Sequence, residues 1–290
     1  MERKVGRAAV VAVCVVAALL QVHLLQMASS QIPDNLGTWI DIAWRHQDNP
    51  HVFYWTGYHS RMLGVGLIEL FGGTAQAFME ATGVALTLAG LLAWRLGSAG
   101  GLGILHACFA VWASPWFAPW DMFEPAIFLA FVVLVVEEFS WPWFVGLFAV
   151  SIFNLQSAMF IALWMTIRMP IAGVSCLVFG ALVMWYFQHS GQPRLGLSVF
   201  QCLDGHTTGY STDYAQERVV ENFHKLFVLD SRCVAGVIAI IAGCAIAIMR
   251  EHVALGLTFL ALLGATLAFG IVDEMRVWLP FCGLMILAAQ

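Results

Sequence analysis

FSWPWFVGLFAVSIFNLQSAMFIALWMTI, residues 139–167, carries no charged side chain over its whole length. About 20 apolar residues cover a hydrocarbon core roughly 30 Å thick, so the stretch reads as a bilayer-spanning helix over 143–167. Working outward, further charge-free runs fall at 8–33, 96–120, 169–193, 233–249 and 252–272. With the apolar stretches between them, the spans read at about 77–95, 99–118, 122–139, 169–188, 232–249 and 252–271, with a short last one at 277–290. The basic start MERKVGR precedes AAVVAVCVVAALLQVHLLQM, which is longer than a signal-peptide core and reads as a retained first span with a cytoplasmic N-terminus. The pattern therefore predicts an all-α, polytopic transmembrane helical bundle of about nine or ten spans, one domain over 1–290.

Composition agrees. The 290 residues are 61% hydrophobic and only 11% charged, against about 25% in a soluble domain. Soluble sandwiches, doubly wound enzymes and disordered chains are excluded, and so is an outer-membrane barrel, whose strands alternate polar and apolar residues. A net charge of −5 with no basic cluster beyond Arg3, Lys4 and Arg7 argues against nucleic acid. Five of the seven cysteines lie in apolar runs, where a thiol behaves as a small hydrophobe, so they do not form a disulfide framework.

Two polar stretches are long enough to hold chemistry. Residues 31–60 contain Pro33-Asp34 as a helix-start signal and then Leu36, Ile40 and Trp44 at near-helical spacing, which predicts an interfacial helix. Residues 189–231 end in ERVVENFHKLFVL, whose Val219, Val220, Phe223, Leu226 and Phe227 form one helical face. Between the first stretch and the next span lies RMLGVGLIELFGG, Arg61 to Gly73, apolar but short for a crossing.

Ionisable groups at membrane depth cost free energy and are functional candidates by default. Asp121 and Glu124 sit three residues apart on one face of a helix start, as a site or as a cap complementing the helix dipole. Glu137-Glu138 read as a solvated helix end, and Glu80 as a group reaching back to the interface. Arg61 and Arg276 each head an apolar segment, where a guanidinium either holds a phosphate bidentately or anchors the helix end on lipid headgroups. Zinc-protease, P-loop and dinucleotide signatures are absent, and His46, His51 and His59 fit no zinc spacing. No metal ligands or organic cofactor are therefore assigned. A divalent cation held by one or two carboxylates and a substrate phosphate stays open.

Taken in order, Asp41 in GTWIDIAW, Arg61 in YHSRMLGVGLIEL, Asp121 in APWDMFEPAIFLAF, Asn154 in SIFNLQSAMFIALW and Glu274-Met275-Arg276 in VDEMRVWLPF resemble the polar landmarks of bacterial GT-C-class polytopic membrane glycosyltransferases and their small relatives. The chain departs from that pattern after Asn154, where Leu155-Gln156-Ser157 replace Arg-Glu-Thr. The resemblance implies a sugar donor on polyprenyl phosphate, a lipid or glycan acceptor, and residence in the bacterial cytoplasmic membrane among lipids, with no nucleic acid. It implies Asp41 as general base with Asp34 second, Arg61 and Arg276 on the lipid phosphate, Glu274 orienting Arg276, and Asp121 and Asn154 binding substrate. A transporter using Glu80, Asn154 and Arg168, or a scaffold subunit, are the alternatives. A protein partner is not indicated.

Topology divides these expectations. If residues 61–73 do not cross, nine Lys and Arg fall with the N-terminus and four opposite; if they cross, the numbers are five and eight. The positive-inside rule favours the first. Only the second gathers Asp41, Arg61 and Arg276 on one face, so either the segment crosses or Arg276 is structural, and a shared site favours crossing.

Overall fold

A computed structural model of the protein describes residues 6–28, 62–112, 121–154, 156–189, 213–226, 231–269 and 275–290. Eleven α-helices run through them: α1 (Arg7–Ala28), α2 (Met62–Leu70), α3 (Ala75–Trp112), α4 (Glu124–Val136), α5 (Trp141–Ser151), α6 (Met159–Arg168), α7 (Pro170–His189), α8 (Asp213–His224), α9 (Ser231–Met249), α10 (Val253–Phe269) and α11 (Cys282–Ala288). A 3₁₀ segment, Met275–Phe281, leads into α11, and no strand occurs among the described residues. The all-α expectation holds.

Two helices among the described residues are long and apolar enough to cross a membrane, Arg7–Leu25 and Ala75–Trp112. The second is two limbs. Its backbone leaves the helical region at Gly97 (φ −138°, ψ 20°) and Ser98 (φ 53°, ψ −143°). A Cβ on Gly101 would lie 2.3 Å from the Ala93 carbonyl oxygen, and one on Gly90 would lie 3.1 Å from Leu102 Cδ1. Residues eight apart in a straight helix are about 12 Å apart, so the limb 99–112 folds back on 75–96. The sequence break between spans 77–95 and 99–118 is thus placed correctly, although the described helix stops at Trp112.

An alanine ladder fixes the next contact. Ala77, Ala81, Ala85, Ala89 and Ala93 recur every fourth residue and are buried, as are Cys14, Ala18, Val22 and Leu25 on α1. Small side chains on one helix let the other approach closely. Cys14 meets Gly90 and Val22 meets Gly83, so α1 and the first limb of α3 run antiparallel.

The 143–167 span expected from sequence is corrected. It is two helices, α5 and α6, of 11 and 10 residues, separated by a break at 152–158. They form a hairpin: Phe144 of α5 stacks on Trp164 of α6 with ring centroids 4.7 Å apart, and Phe131 of α4 meets both edge-on. Tyr, Trp and Phe pairs in such arrangements add about 1 kcal/mol each beyond burial. Charge counting could not find the break, because the residues that make it are polar but uncharged.

That hairpin settles which helix ends lie together. One end, the short-turn end, holds the start of α1, the Gly97-Ser98 turn, the α4–α5 turn, the α6–α7 turn at Met169, the α9–α10 turn and the chain's last residues. Arg95 pairs with Glu137 there, Arg250 donates to the Leu287 carbonyl and Gln290 to the Leu96 carbonyl. Glu137 is therefore a paired helix end rather than merely a solvated one. The opposite, long-loop end holds the end of α1, both termini of α3, the starts of α2, α4, α6 and α9, and the ends of α5, α7 and α10. The 3₁₀ segment lies there too, since Ile286 further along α11 meets Gly97 and Gly101.

The crossing of 61–73 is also corrected. α2 has nine residues, about 13 Å, and begins and ends on the long-loop side of the bundle. Chain direction reverses at 152–158 instead, so the described flanks of all the long polar stretches gather at one end without α2 crossing.

In α8 the expected apolar face divides. Leu226 is buried and Asn222 Nδ2 donates to the Leu267 carbonyl at 2.7 Å, while Val220 and Phe223 are exposed. The backbone acceptor at the end of α10 selects the Asn222 side over the more apolar one.

Candidate functional site

The long-loop end is organised by Glu124. It opens α4, is followed by Pro125 at a position where a missing N–H costs nothing, and its carboxylate is 3% exposed. Asn154 Nδ2 donates to Oε1 at 3.1 Å, and Ser157 Oγ lies 3.1 Å from both oxygens. Hydrogen bonds to a charged group contribute about 1.5–3 kcal/mol each, which offsets the desolvation of a buried carboxylate. The helix N-terminus adds a favourable dipole.

The consequence is mechanical. Asn154 and Ser157 both belong to the break between α5 and α6, so Glu124 ties that break to the start of α4. The break in turn holds α2, because the Phe153 carbonyl accepts the Leu63 N–H at 2.9 Å. Asp121 is buried one turn before Glu124, and its carbonyl accepts the Glu124 N–H at 3.3 Å. Beside it, Met122 Sδ lies 3.8 Å from Thr82 Oγ1, which donates to the Phe78 carbonyl.

These groups lie below the rim of the bundle. Thr82 is seven residues inside the start of α3, about 10 Å. On the other flank, a Cβ on Gly180 would meet Met159 Sδ, Phe148 and Ile152, and α7 continues nine residues beyond it, about 13 Å. The 3₁₀ segment packs on α3 and α4 beside them, held by buried Trp278 and Phe281, with Phe281 5.7 Å from Phe259.

Of the residues singled out in the sequence, Asp121 and Asn154 come together here with Glu124. Asn154 is held by Glu124, a structural engagement. Asp34, Asp41, Arg61 and Glu274 lie outside the described residues, and of Arg276 only the backbone, in the 3₁₀ segment, is described. Met62, next to Arg61, starts the helix docked on Phe153. Glu80 is exposed and accepts from Gln76 at 2.8 Å, and Arg168 ends α6 at the short-turn end, away from Asn154. Ser157 was missed; the signal was its spacing of three from Asn154 inside an otherwise apolar run. Among the described residues no group of three or more His, Cys, Asp or Glu converges as a metal site.

No protein-family model, curated protein or solved structure matches this chain.

Proposed function

We propose that the protein is an integral membrane enzyme of the bacterial cytoplasmic membrane, a polytopic helical bundle that transfers a sugar from a polyprenyl-phosphate donor to a lipid or glycan acceptor at its long-loop face. The membrane part is supported by outward-facing apolar side chains on several helices: Leu20 of α1 is 60% exposed, Ile171 of α7 87% and Ile238 of α9 62%. In water such a surface is an aggregation liability; in lipid it is the normal exterior.

The chain reversal at 152–158 is the observation that carries the enzymatic part. It gathers the start of α2 beside Arg61, the Asp121–Glu124 turn and the segment containing Arg276 at one end. A shared face then no longer requires residues 61–73 to cross. Asp41 would serve as base on the acceptor hydroxyl, with Asp34 in reserve, while Arg61 and Arg276 stabilise the departing lipid phosphate and Glu274 orients Arg276. Asp121 would contact the acceptor or help to hold a divalent cation, which would supply charge neutralisation at the phosphate.

A transporter is the second reading. The α5–α6 hairpin enters from one end, α2 from the other, and they meet at Phe153 and Leu63, as interrupted helices do in transport sites.

Turnover of a lipid-linked sugar by reconstituted protein separates the two. Asp41→Asn and Arg61→Ala are expected to abolish it at unchanged expression, and unaltered turnover overturns the enzyme. Cysteines at Trp55, Gly205 and Met275 are expected to label from the same, non-cytoplasmic side. Labelling of position 275 from the cytoplasm alone removes the shared face.

A further inference from the structure

We infer that the lipid-facing belt of the protein is only about 22 Å tall, and that the surface it fits is a bilayer thinned by about a quarter around it. Two parts of the bundle give the height independently. On the first limb of α3, the exposed residues Glu80 and Arg95 bound a run without a charged side chain, and their spacing of 15 residues is about 22 Å of helix. Thr82 and Thr87 inside the run donate to the Phe78 and Gly83 carbonyls of their own helix, while Val84 and Leu88 face outward. The contacts of Val22 with Gly83 and of Cys14 with Gly90 set α1 in register, with Leu25 level with Glu80 and Ala9 level with Arg95. The exposed apolar residues of α1, from Val11 to Leu24, all fall between those levels.

α7, which packs on α5 and α6, repeats the measure. Its exposed strip runs from Ile171 through Val174, Val178 and Leu182 to Trp185, 14 residues or about 21 Å. Phe148 against Gly180 places Trp141 of α5 level with Gly173, so exposed rings mark both ends: Trp141 and Trp143 at the short-turn end, Trp185 and Tyr186 at the long-loop end. Such rings settle at headgroup level, and from Gly173 to Trp185 is 12 residues, about 18 Å. Any tilt shortens these heights further. A core of the usual thickness, roughly 30 Å, would submerge Glu80 or the Arg95–Glu137 pair, whereas compressing acyl chains costs little per ångström. The Glu124 clasp lies close to the same boundary. Met122 beside it touches Thr82, two residues inside Glu80, and Ile152 and Met159, which flank the break, meet Gly180, five residues inside Trp185. Thinning therefore keeps the clasp near the depth at which a lipid headgroup joins its chains. The inference rests on the membrane reading above and is independent of the enzymatic one.

The test uses the full chain reconstituted into vesicles of dimyristoleoyl, dioleoyl or dierucoyl phosphatidylcholine, in order of increasing thickness. Flotation after an alkaline wash reads insertion, quenching of tryptophan fluorescence by brominated lipid in mixtures reads the relative affinity for each chain length, and single-molecule photobleaching reads association. The protein is expected to float with all three, to prefer dimyristoleoyl over dierucoyl chains by about threefold or more, and to keep one oligomeric state throughout. Equal affinity, or a preference for the longest chains, overturns the short belt while leaving the membrane reading intact. Failure to float with any of them overturns the membrane reading itself. Association that grows with thickness overturns thinning, because the chains would then be hiding the mismatch against one another. Glu80→Leu carries the apolar run of α3 one turn further, to Gln76, and should shift the preference towards dioleoyl chains; an unmoved preference removes Glu80 as the boundary. The unmodified chain alone decides the height of the belt even if that variant does not fold.

Discussion

At the short-turn end, two residues join the limbs of α3, four join α4 to α5, one joins α6 to α7 and three join α9 to α10. At the long-loop end, the sequence stretches 29–61 and 190–212 alone separate helices by far more. The first end is closed mainly by backbone, in tight turns, close helix approach and residues in left-handed conformations, with Arg95–Glu137, Arg250 and Gln290 adding side-chain contacts. The second is closed by side chains, with one buried carboxylate holding a break in the chain. A site that must admit a ligand is better placed where side-chain contacts, rather than the chain itself, hold the elements, because those contacts can rearrange without unfolding a turn.

The sharpest way to break this contrast is at Gly173, in the first turn of α7. A Cβ there would lie 2.1 Å from the Thr166 nitrogen and 2.4 Å from its Cα, backbone atoms that cannot step aside. Gly173→Ala is expected to cost at least about 3 kcal/mol and to remove most of the monodisperse protein on size exclusion in detergent. Gly146→Ala, where nothing lies within 4 Å, should be neutral or stabilising. Equal yields from both would show that the short-turn end is not held by close backbone approach.

Next in size is the clasp at the other end. Glu124→Ala leaves the Asn154 amide and Ser157 hydroxyl without their shared acceptor and is expected to cost about 2–3 kcal/mol, with Glu124→Gln losing about half of that. Hydrogen exchange locates the effect. The Leu63 amide, held by Phe153, should exchange faster in Glu124→Ala, while amides of the turns at 137–140 and 250–252 keep their protection. Unchanged protection at Leu63 would show that α2 is held by something other than the clasp.

Much of the fold was legible in the sequence, for reasons that also mark where legibility ended. Charge-free runs of about 20 residues exposed α1, the return limb of α3, α7, α9 and α10, because desolvating charge is the largest local penalty. The α5–α6 hairpin was hidden because Asn154 and Ser157 cost little until the partner carboxylate 30 residues earlier is known. Reading 143–167 as one crossing propagated: it inverted every later helix end and made a crossing of 61–73 look necessary. Asp121, Glu124 and Asn154 were each visible as polar residues in apolar surroundings, but their grouping depends on chain direction. The division of the α8 face was illegible for a similar reason, since it is set by a backbone carbonyl of α10 rather than by apolar periodicity.

The smallest expected effect comes from the helix C-termini. α4, α9 and α2 all end in the same double hydrogen bond: Phe139 N to Leu134 O with Glu138 N to Val135 O, His252 N to Ala247 O with Glu251 N to Ile248 O, and Gly73 N to Ile68 O with Gly72 N to Glu69 O. This motif requires its next-to-last residue to be left-handed. At the long-loop end that residue is Gly72 (φ 103°), while at the short-turn end it is Glu138 (φ 55°) and Glu251 (φ 69°). An L-residue with a side chain is strained there by about 1–2 kcal/mol, and glycine returns part of the gain as unfolded-chain entropy. Glu138→Gly and Glu251→Gly are each expected to stabilise by about 0.5–1 kcal/mol, a rise in melting temperature of roughly 2 °C. The motifs share no partners, so the double variant should sum the two gains. Gly72→Ala should move the other way by a similar amount. If the glutamates lose stability on replacement, their carboxylates are making contacts at the short-turn end that outweigh the backbone strain.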